Sequence, residues 1–321
     1  MNKMDSVLVT GCAGFIGYHL SQSLLVDGIN VLGIDNLNDY YDINLKNNRL
    51  LNLKANKNFI FHKVDISDKK SLSQCFKEFQ PNMVVNLAAQ AGVRYSIENP
   101  YAYLDSNLTG FLNILEMCRN YEVEGLVYAS SSSVYGSNSK IPFSITDRTD
   151  NPIALYGATK KANELMAHSY SHLYGLPTTG LRYFTVYGPW GRPDMAMYIF
   201  TENISKGKSI PVFNDGNMKR DFTFIDDIVS GTKSAIEKNY HCEVFNLGNN
   251  KSENLMDMIT IIETSLGKKA DIDFQSIQPG DVVETFADID KTIEKLDYNP
   301  GIDIVQGIPK FIDWYKNYTS I

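Results

Sequence analysis

Tyr156 and Lys160, in the stretch LYGATKKANE, are the side chains best placed by type and spacing to do chemistry. They lie four residues apart in a segment with a helical pattern, so they share one helix face. A tyrosine normally ionises near pH ~10, but a neighbouring ammonium and a cationic cofactor ring both favour the phenolate, so its pKa should fall toward neutrality. Such a phenolate is a base for an alcohol proton that leaves together with a hydride. The alternative is an exposed helical pair without a role, since this spacing is common by chance.

A run of four serines in ASSSSVYG, residues 129–136, strengthens the chemical interpretation. Ser131 could hydrogen-bond the same substrate oxygen as Tyr156 and relay its proton. A polar turn is the alternative, but hydroxyls at the carboxyl end of a strand lie where ligands bind in parallel α/β sheets. We therefore predict Ser131, Tyr156 and Lys160 as the catalytic residues.

The glycines of TGCAGFIG, residues 10–17, predict a dinucleotide-binding turn. Gly11 permits a tight turn, Gly14 lets the backbone approach a pyrophosphate, and Gly17 lets the following helix pack on the strand. A predicted strand precedes the motif and a predicted helix follows it, and the helix N-terminus favours phosphate binding.

Two aspartates at the ends of predicted strands extend the cofactor site. Asp35 could accept both ribose hydroxyls of NAD and would repel the extra phosphate of NADP; its alternative is a turn residue. Asp65 resembles an adenine-contacting position, and the alternative is a helix N-cap for the segment after it.

The elements that must position these residues alternate between strand and helix. Short apolar runs predict buried strands at 6–10, 30–35, 59–65, 83–89, 125–131 and 178–184. Helical patterns lie between them at 15–27, 69–79, 100–121 and 155–174. This order predicts an α/β fold, a Rossmann-type doubly wound parallel sheet.

The pattern changes after residue 184. We expect helices near 194–206, 254–266 and 307–318, a strand and helix over 221–238, and strands at 243–248 and near 271–275. We predict an NAD-binding domain at 1–184 and a smaller C-terminal α/β substrate domain at 185–321, with part of 221–248 able to rejoin the main sheet.

Composition excludes several classes of function. The 321 residues carry 30 basic and 37 acidic side chains, a net charge of -7, which argues against a nucleic-acid or anionic-membrane binder. The cysteines at 12, 75, 118 and 242 lack metal or redox spacing, so reduced thiols and no metal site are expected. With no signal peptide and no spanning apolar run, we expect a cytoplasmic protein.

The combination of TGxxGFIG, Asp35, NLAAQAGVRYS (86–96), SSSSVYG and YxxxK resembles the extended short-chain dehydrogenase/reductase family, in particular its nucleotide-sugar epimerases. The resemblance covers nearly the whole chain. It implies an NAD that stays bound through the cycle, and a homodimer formed through the 100–121 and 155–174 helices. The implied cofactor-binding residues are Gly11, Ala13, Gly14, Phe15, Ile16, Gly17, Asp35, Asn36, Asp65, Ile66, Leu87, Ala88, Ala89, Gln90, Asn107, Ser130, Tyr156, Lys160, Tyr183 and Val186.

The segment NMKRDFTFIDD, residues 217–227, resembles the part of these enzymes that binds uridine diphosphate. Arg220 would meet the diphosphate with bidentate geometry. Its alternative is a surface salt bridge with Asp221 or Asp226. Asp281, in QPGDVVET, resembles the acidic residue that contacts the nucleotide ribose.

The loop RYFTVYGPWGRPDMA, residues 182–196, together with DNLNDYYD (35–42) and QAGVRYS, resembles the branch of the family that acts on UDP-glucuronate. Burying a sugar carboxylate without partners would be costly. Arg192 could supply the opposite charge, or bind the diphosphate alone. Arg94 could be a second cation or lie near the cofactor phosphates. The implied substrate-binding residues are Arg94, Ser131, Ser132, Ser133, Tyr156, Thr185, Arg192, Arg220 and Asp281.

The expected reaction is epimerisation of a UDP-sugar at carbon 4 through a transient 4-keto sugar, in the service of polysaccharide biosynthesis. The alternatives are a UDP-glucose or UDP-N-acetylglucosamine 4-epimerase and a UDP-glucuronate decarboxylase. An NAD-sensing regulator without catalysis is a further alternative, and the intact Ser131, Tyr156 and Lys160 argue against it.

Overall fold

A seven-stranded parallel sheet forms the centre of the computed structural model, which describes residues 5–277 and 282–320. The strands are β1 (Ser6–Thr10), β2 (Asn30–Asp35), β3 (Phe59–Lys63), β4 (Met83–Asn86), β5 (Gly125–Ser131), β6 (Thr178–Tyr183), β7 (Thr185–Tyr187), β8 (Ser209–Phe213), β9 (Lys219–Arg220), β10 (Phe222–Phe224), β11 (Cys242–Leu247), β12 (Glu253–Asn254) and β13 (Asp271–Gln275). The sheet order is β11-β6-β5-β4-β1-β2-β3. The predicted doubly wound parallel sheet is therefore confirmed.

Helices cover both faces of this sheet, and others pack against the two-stranded sheets and against one another. They are α1 (Phe15–Val26), α2 (Ile43–Lys54), α3 (Lys69–Phe79), α4 (Tyr95–Glu98), α5 (Pro100–Tyr103), α6 (Phe111–Asn120), α7 (Leu155–Tyr174), α8 (Ala196–Ser205), α9 (Ile225–Lys238), α10 (Leu255–Leu266), α11 (Asp290–Leu296) and α12 (Ile304–Thr319). One apolar core contains buried side chains of α1, α2 and α9, and a second contains those of α3, α6 and α7. Because successive strands run from β1 outward to β3 and then return to β4, a crevice opens between the carboxyl ends of β1 and β4.

Three two-stranded sheets are formed by strands that lie after residue 184. β7 pairs in parallel with β10, β13 pairs in parallel with β8, and β12 pairs antiparallel with β9. The pairing places the backbone N–H of Thr185 on the carbonyl of Asp221 (3.1 Å). Strand β11 rejoins the main sheet beside β6.

Several bounds differ from the sequence expectations. The single helix expected over 100–121 is divided: α4 ends at Glu98, Asn99 caps α5 at Pro100, and residues 104–110 form a π-helix before α6. Strands β3 and β4 end earlier than expected, at Lys63 and Asn86. Helix α2 was not predicted, because NLKNNRLLNLK is rich in asparagine, a weak helix former.

Within residues 5–277 and 282–320, no helix has both the length and the apolarity needed to cross a lipid bilayer.

Candidate active site

A cavity of about 710 Å³ lies along the carboxyl edge of the main sheet. Its wall contains the glycine turn after β1, the ends of β2, β4 and β5, the first turns of α7, and the loop that follows β7. This volume is within the usual range for small-molecule sites. The cavity joins the crevice predicted for a dinucleotide to the segments predicted for a nucleotide sugar.

The glycine turn leaves no room for larger side chains. Gly11 has φ +71°, and a Cβ there would lie 2.8 Å from the backbone nitrogen of Ala88. A Cβ on Gly17 would lie 2.1 Å from the carbonyl oxygen of Gly11. Gly14, Phe15 and Gly17 line the cavity at the start of α1, so the free N–H groups of its first turn open toward a ligand. A pyrophosphate fits this arrangement of backbone donors.

Asp35 lies at the end of β2, 8% exposed, and lines the cavity. Its carboxylate accepts hydrogen bonds from the backbone N–H groups of Ala13 (3.1 Å) and Leu37 (2.8 Å). Burial raises the pKa of Asp35, and these hydrogen bonds and the charge of Lys46 offset part of the rise. The remaining lone pairs suit ribose hydroxyls.

Asp65 also lines the cavity, and its carboxylate is held by neighbours on both oxygens. Asn36 donates to one oxygen (2.8 Å), and the Ser67 backbone and hydroxyl donate to the other (2.8 and 2.7 Å). Burial raises its pKa, but these hydrogen bonds more than compensate, so the pKa is lowered overall. The alternative role as a helix cap does not apply, because Asp68 caps α3.

The other predicted cofactor residues divide into two groups. Ala13 and Asn107 lie behind the wall, 0% and 2% exposed: Ala13 supplies backbone groups, and Asn107 accepts from the Gln90 N–H (2.8 Å) and donates to the Gln90 carbonyl (3.0 Å). The remainder line the cavity, namely Ile16, Asn36, Ile66, Leu87, Ala88, Ala89, Gln90, Ser130, Tyr183 and Val186.

Ser131, Tyr156 and Lys160 all line the cavity. Tyr156 and Lys160 occupy the first two turns of α7, and Ser131 ends β5. Lys160 is 2% exposed and donates to the Ala129 carbonyl (2.9 Å), which leaves further N–H donors for a ligand. The Ser131 hydroxyl oxygen accepts from the Ser133 N–H (3.1 Å), which orients it at the strand end.

The expected fall in the pKa of Tyr156 does not occur in the chain alone. Burial raises this pKa above its ordinary value, while the hydrogen bond with Ser131 and the charge of Arg192 lower it only in part. Burial also lowers the pKa of Lys160, to about 8, which weakens the ammonium as a source of positive charge. The expectation was wrong for the chain by itself, because burial of the phenolate raises the pKa of Tyr156 by more than Ser131 and Arg192 lower it.

Arg192 lies on the loop after β7 and is held in a side-on pair with Asp194. Its Nε donates to Asp194 Oδ1 (3.0 Å) and its Nη2 donates to Oδ2. The hydroxyl of Tyr40, from the loop after β2, donates to the same carboxylate (3.2 Å). The guanidinium lines the cavity together with Ser132, Ser133 and Thr185. The predicted cation is therefore present, but it carries its own counter-ion.

The other predicted cations also reach the cavity. Arg94 lies over the ring of Phe213, 4.5 Å from its centroid. Arg220, in β9, donates from Nη1 to the carbonyls of Lys219 (2.8 Å) and Val283 (3.1 Å). Asp221 turns inward to accept from the N–H groups of Asn249 and Ala287. Asp281 lies outside the described residues.

Residues 7–248 match the model of the NAD-dependent epimerase/dehydratase family. The chain belongs to this family. It is 50% identical to Protein CapI of Staphylococcus aureus over 97% of this chain and 98% of that protein. It is 48% identical to UDP-glucuronate 4-epimerase 2 of Arabidopsis thaliana over 98% of this chain and 76% of that protein.

Among solved structures of the epimerase/dehydratase family, the UDP-glucuronic acid 4-epimerase from Bacillus cereus, in complex with UDP-glucuronic acid and NAD, is similar in sequence and fold. The TM-score is 0.92 at 36% identity, covering 98% of this chain and 99% of that one. A likeness at this level extends over both the main sheet and the segments after residue 184.

Sequence reasoning missed the polar network that lies behind the predicted catalytic residues of this epimerase-family chain. Glu164, one turn after Lys160, accepts from Arg182 Nε and Nη2 (both 2.8 Å) and from the Ser130 hydroxyl (2.7 Å). Glu164 is 6% and Arg182 3% exposed. The pair ties α7 to β5 and β6 directly behind Ser131. A charged residue inside the apolar run TTGLRYF was the signal that could have indicated it.

Proposed function

We propose that this chain is a UDP-glucuronate 4-epimerase, which interconverts UDP-glucuronate and UDP-galacturonate through a transient 4-keto sugar. The observation that carries the proposal is the convergence of Ser131, Tyr156 and Lys160 with Arg192 in one cavity. The first three provide acid–base chemistry at an alcohol carbon, and the fourth provides a cation for a sugar acid. The relatives named for this reaction support it.

The residues present fit NAD. The space left by Gly11, Gly14 and Gly17 admits a pyrophosphate, Asp35 offers acceptors to a ribose, and the buried Lys160 retains donors facing the cavity. NAD, when bound, accepts a hydride from the sugar and returns it. We propose that residues 1–184, together with β11, hold NAD and that the segments after residue 184 hold the UDP-sugar.

Proton transfer falls to Tyr156 and Ser131. The Tyr156 phenolate takes the proton of the carbon-4 hydroxyl, and the Ser131 hydroxyl bridges the two oxygens. Because burial raises the pKa of Tyr156 in the chain alone, the phenolate depends on the positive charge that oxidised NAD brings. Oxidation is thereby linked to a filled cofactor site.

The sugar carboxylate sets the second requirement. A ketone at carbon 4 makes the uronate a β-keto acid, which loses carbon dioxide when the bond to the carboxylate lies perpendicular to the ketone plane. We propose that Arg192, Thr185, Ser132 and Ser133 bind the carboxylate and hold it away from that orientation. This would distinguish an epimerase from a decarboxylase that shares the first half-reaction.

The test is to supply the purified protein with UDP-glucuronate and no added cofactor, and to follow the products by NMR. We expect UDP-galacturonate to accumulate, because resident NAD makes the enzyme active without supplementation. UDP-glucose and UDP-N-acetylglucosamine serve as parallel substrates. Conversion of either neutral sugar in preference to the uronate, or release of a UDP-pentose, would replace the proposal with the corresponding alternative.

We further propose a homodimer formed through α6 and α7. Both helices expose apolar side chains: Leu112 is 42%, Leu165 58% and Leu173 65% exposed. Exposed apolar area of this kind is typical of an interface. Leu165→Glu should shift the mass measured by light scattering from dimer to monomer, whereas Val305→Glu, on α12, should not; a monomeric wild type would contradict the proposal.

The four cysteines are free, which supports a reducing compartment, and we propose that the enzyme acts in the cytoplasm. Its product is a nucleotide-activated uronate, so polysaccharide biosynthesis is the proposed use.

A further inference from the structure

Asp194 is a cavity-lining carboxylate that the proposed reaction does not use. It lies two residues after Arg192 and engages the Nε and Nη2 atoms of that guanidinium. Two of the five N–H donors of the arginine are therefore occupied before any ligand binds. A sugar carboxylate cannot use the side-on edge while Asp194 holds it.

The other edge of Arg192 remains available. Its Nη1 donates no hydrogen bond to residues 5–277 or 282–320, yet the side chain is 22% exposed and borders the cavity. Nη1 and the second N–H of Nη2 form the end-on fork, which matches a carboxylate in a bidentate pair. The side-on pair thus decides which edge of the guanidinium a ligand meets.

Asp194 is itself held from the cofactor side of the cavity. The Tyr40 hydroxyl donates to Asp194 Oδ2 (3.2 Å), and the Tyr40 ring packs at a tilt against Tyr95 (4.8 Å between ring centroids). Tyr40 follows Asp35 by five residues, on the loop between β2 and α2. Two loops that are distant in sequence therefore fix the position of one carboxylate.

We propose that Asp194 is a positioning residue that fixes the end-on edge of Arg192 toward the sugar acid and reduces the positive charge which the pocket presents. The proposal rests on the UDP-glucuronate function proposed above. Without Asp194, an unpaired guanidinium would retain the acidic substrate and product more tightly. With Asp194 present, the pocket keeps the end-on N–H groups that match a carboxylate but presents less positive charge to it.

The same pair acts on the base. The charge of Arg192 lowers the pKa of Tyr156, although burial keeps that pKa raised overall. Because a carboxylate paired with a guanidinium offsets its positive charge, we expect Asp194 to weaken this effect of Arg192. Removing the Asp194 charge should lower the pKa of Tyr156 further, so the acid limb of the pH–rate profile should move to lower pH. Among the described residues, Tyr103 packs against Tyr156, and Lys160 lines the same cavity one helical turn away. The titratable or charged groups around Arg192 are Asp194, Tyr40, Tyr41, Lys46 and Tyr103.

Asp194→Asn tests the charge, because asparagine keeps the size and one acceptor oxygen. Asp39→Asn, an exposed change of equal charge one residue before Tyr40, is the matched control. Binding is measured by titration calorimetry on holoenzyme in a Tyr156→Phe background, which slows turnover. Asp194→Asn should bind UDP-glucuronate roughly three- to tenfold more tightly, with UDP-glucose and UDP unchanged. In the enzyme that retains Tyr156, Asp194→Asn should move the acid limb of the pH–rate profile to lower pH.

Tyr40→Phe tests the positioning, because it removes the hydroxyl that holds Asp194 without changing a charge. It should lower kcat for UDP-glucuronate several-fold and leave the acid limb in place.

The outcomes separate the two proposals. If Asp194→Asn tightens UDP-glucuronate, UDP-glucose and UDP equally, Arg192 meets the diphosphate and the inference is wrong. If the wild type epimerises UDP-glucuronate but Asp194→Asn behaves like Asp39→Asn, or Tyr40→Phe behaves like the wild type, the inference alone fails. A wild type that does not convert UDP-glucuronate would overturn the proposed function and the inference together.

Discussion

Replacing Glu164 with Gln would break the buried ion pair behind Ser131, the proposed catalytic serine. Glu164 and Arg182 are 6% and 3% exposed, and they share two hydrogen bonds of 2.8 Å. A glutamine keeps one acceptor oxygen but points an N–H group at the guanidinium. Arg182 would then be a buried cation without a carboxylate.

The magnitude follows from this geometry. Removing one partner of a buried pair costs about 3–5 kcal/mol of unfolding free energy. Arg182 keeps two other contacts, a hydrogen bond from Nη1 to the Tyr135 hydroxyl (3.0 Å) and a position over the same ring (4.9 Å), so we expect the lower end, about 3 kcal/mol. The midpoint of thermal unfolding should fall by roughly 4 to 5 °C.

The dependence on pH gives a second signature. Burial raises the pKa of Glu164, but the hydrogen bonds from Arg182 and Ser130 lower it below its ordinary value overall. A carboxyl whose pKa is lower in the folded state stabilises the fold above its unfolded pKa, near ~4.3, and loses that contribution as pH falls through the folded pKa. The deficit of the variant should therefore be equal at pH 7 and pH 6, and shrink below about pH 4.

The assay is urea unfolding of NAD-loaded protein, followed by far-ultraviolet circular dichroism. Glu202→Gln is the matched control, because Glu202 is also a helical glutamate paired with a cation, Lys206, but with a side chain 39% exposed. That change should cost less than about 0.5 kcal/mol. A loss below about 1 kcal/mol for Glu164→Gln, or an equal loss for both variants, would refute the reasoning from burial.

Three further predictions concern the cavity. Tyr156→Phe should reduce epimerisation about 10²–10⁴-fold while bound NAD, measured by chromatography of denatured protein, is unchanged. Gly17→Ala places a Cβ 2.1 Å from the Gly11 carbonyl oxygen and should lower that NAD content, whereas Gly301→Ala, with nothing within 4 Å, should not. Arg192→Ala should lower kcat/KM for UDP-glucuronate far more than NAD content, and mass spectrometry should detect a UDP-pentose; normal epimerisation would contradict the carboxylate assignment.

Helix α7 and the glycine turn were predictable because local sequence patterns indicate them. Helix α7 begins and ends where its periodicity predicts, since the extended Ala154 precedes it and Gly175, with φ +68°, ends it. The glycine turn was predictable because its spacing is a local signal: the steric limit at Gly17 is set by the Gly11 carbonyl oxygen, six residues earlier.

The Arg182–Glu164 pair and the direction of the Tyr156 pKa shift were not predicted, because both depend on residues that only the folded chain brings together. Arg182 meets Glu164 only because β6 and α7 pack together, and no periodicity in either segment marks the pair. The pKa of Tyr156 depends on burial in a wall built from distant loops, so the spacing of Tyr156 and Lys160 could not predict its direction in the chain alone.

Arg192 shows how far residue type can support a statement about specificity. An arginine between a glycine and a proline predicts a fixed cation, and the loop does place one at the cavity. The same loop also supplies Asp194, so the number of cations in the wall says little about the charge a ligand meets. If Arg192 binds the sugar acid as proposed, selection depends on the direction of its end-on N–H groups, because pairing with Asp194 reduces the net charge but leaves those donors in place. An enzyme whose Arg192 is paired with Asp194 could bind a uronate, convert it and release the product. An unpaired guanidinium would hold the acidic substrate and product more tightly.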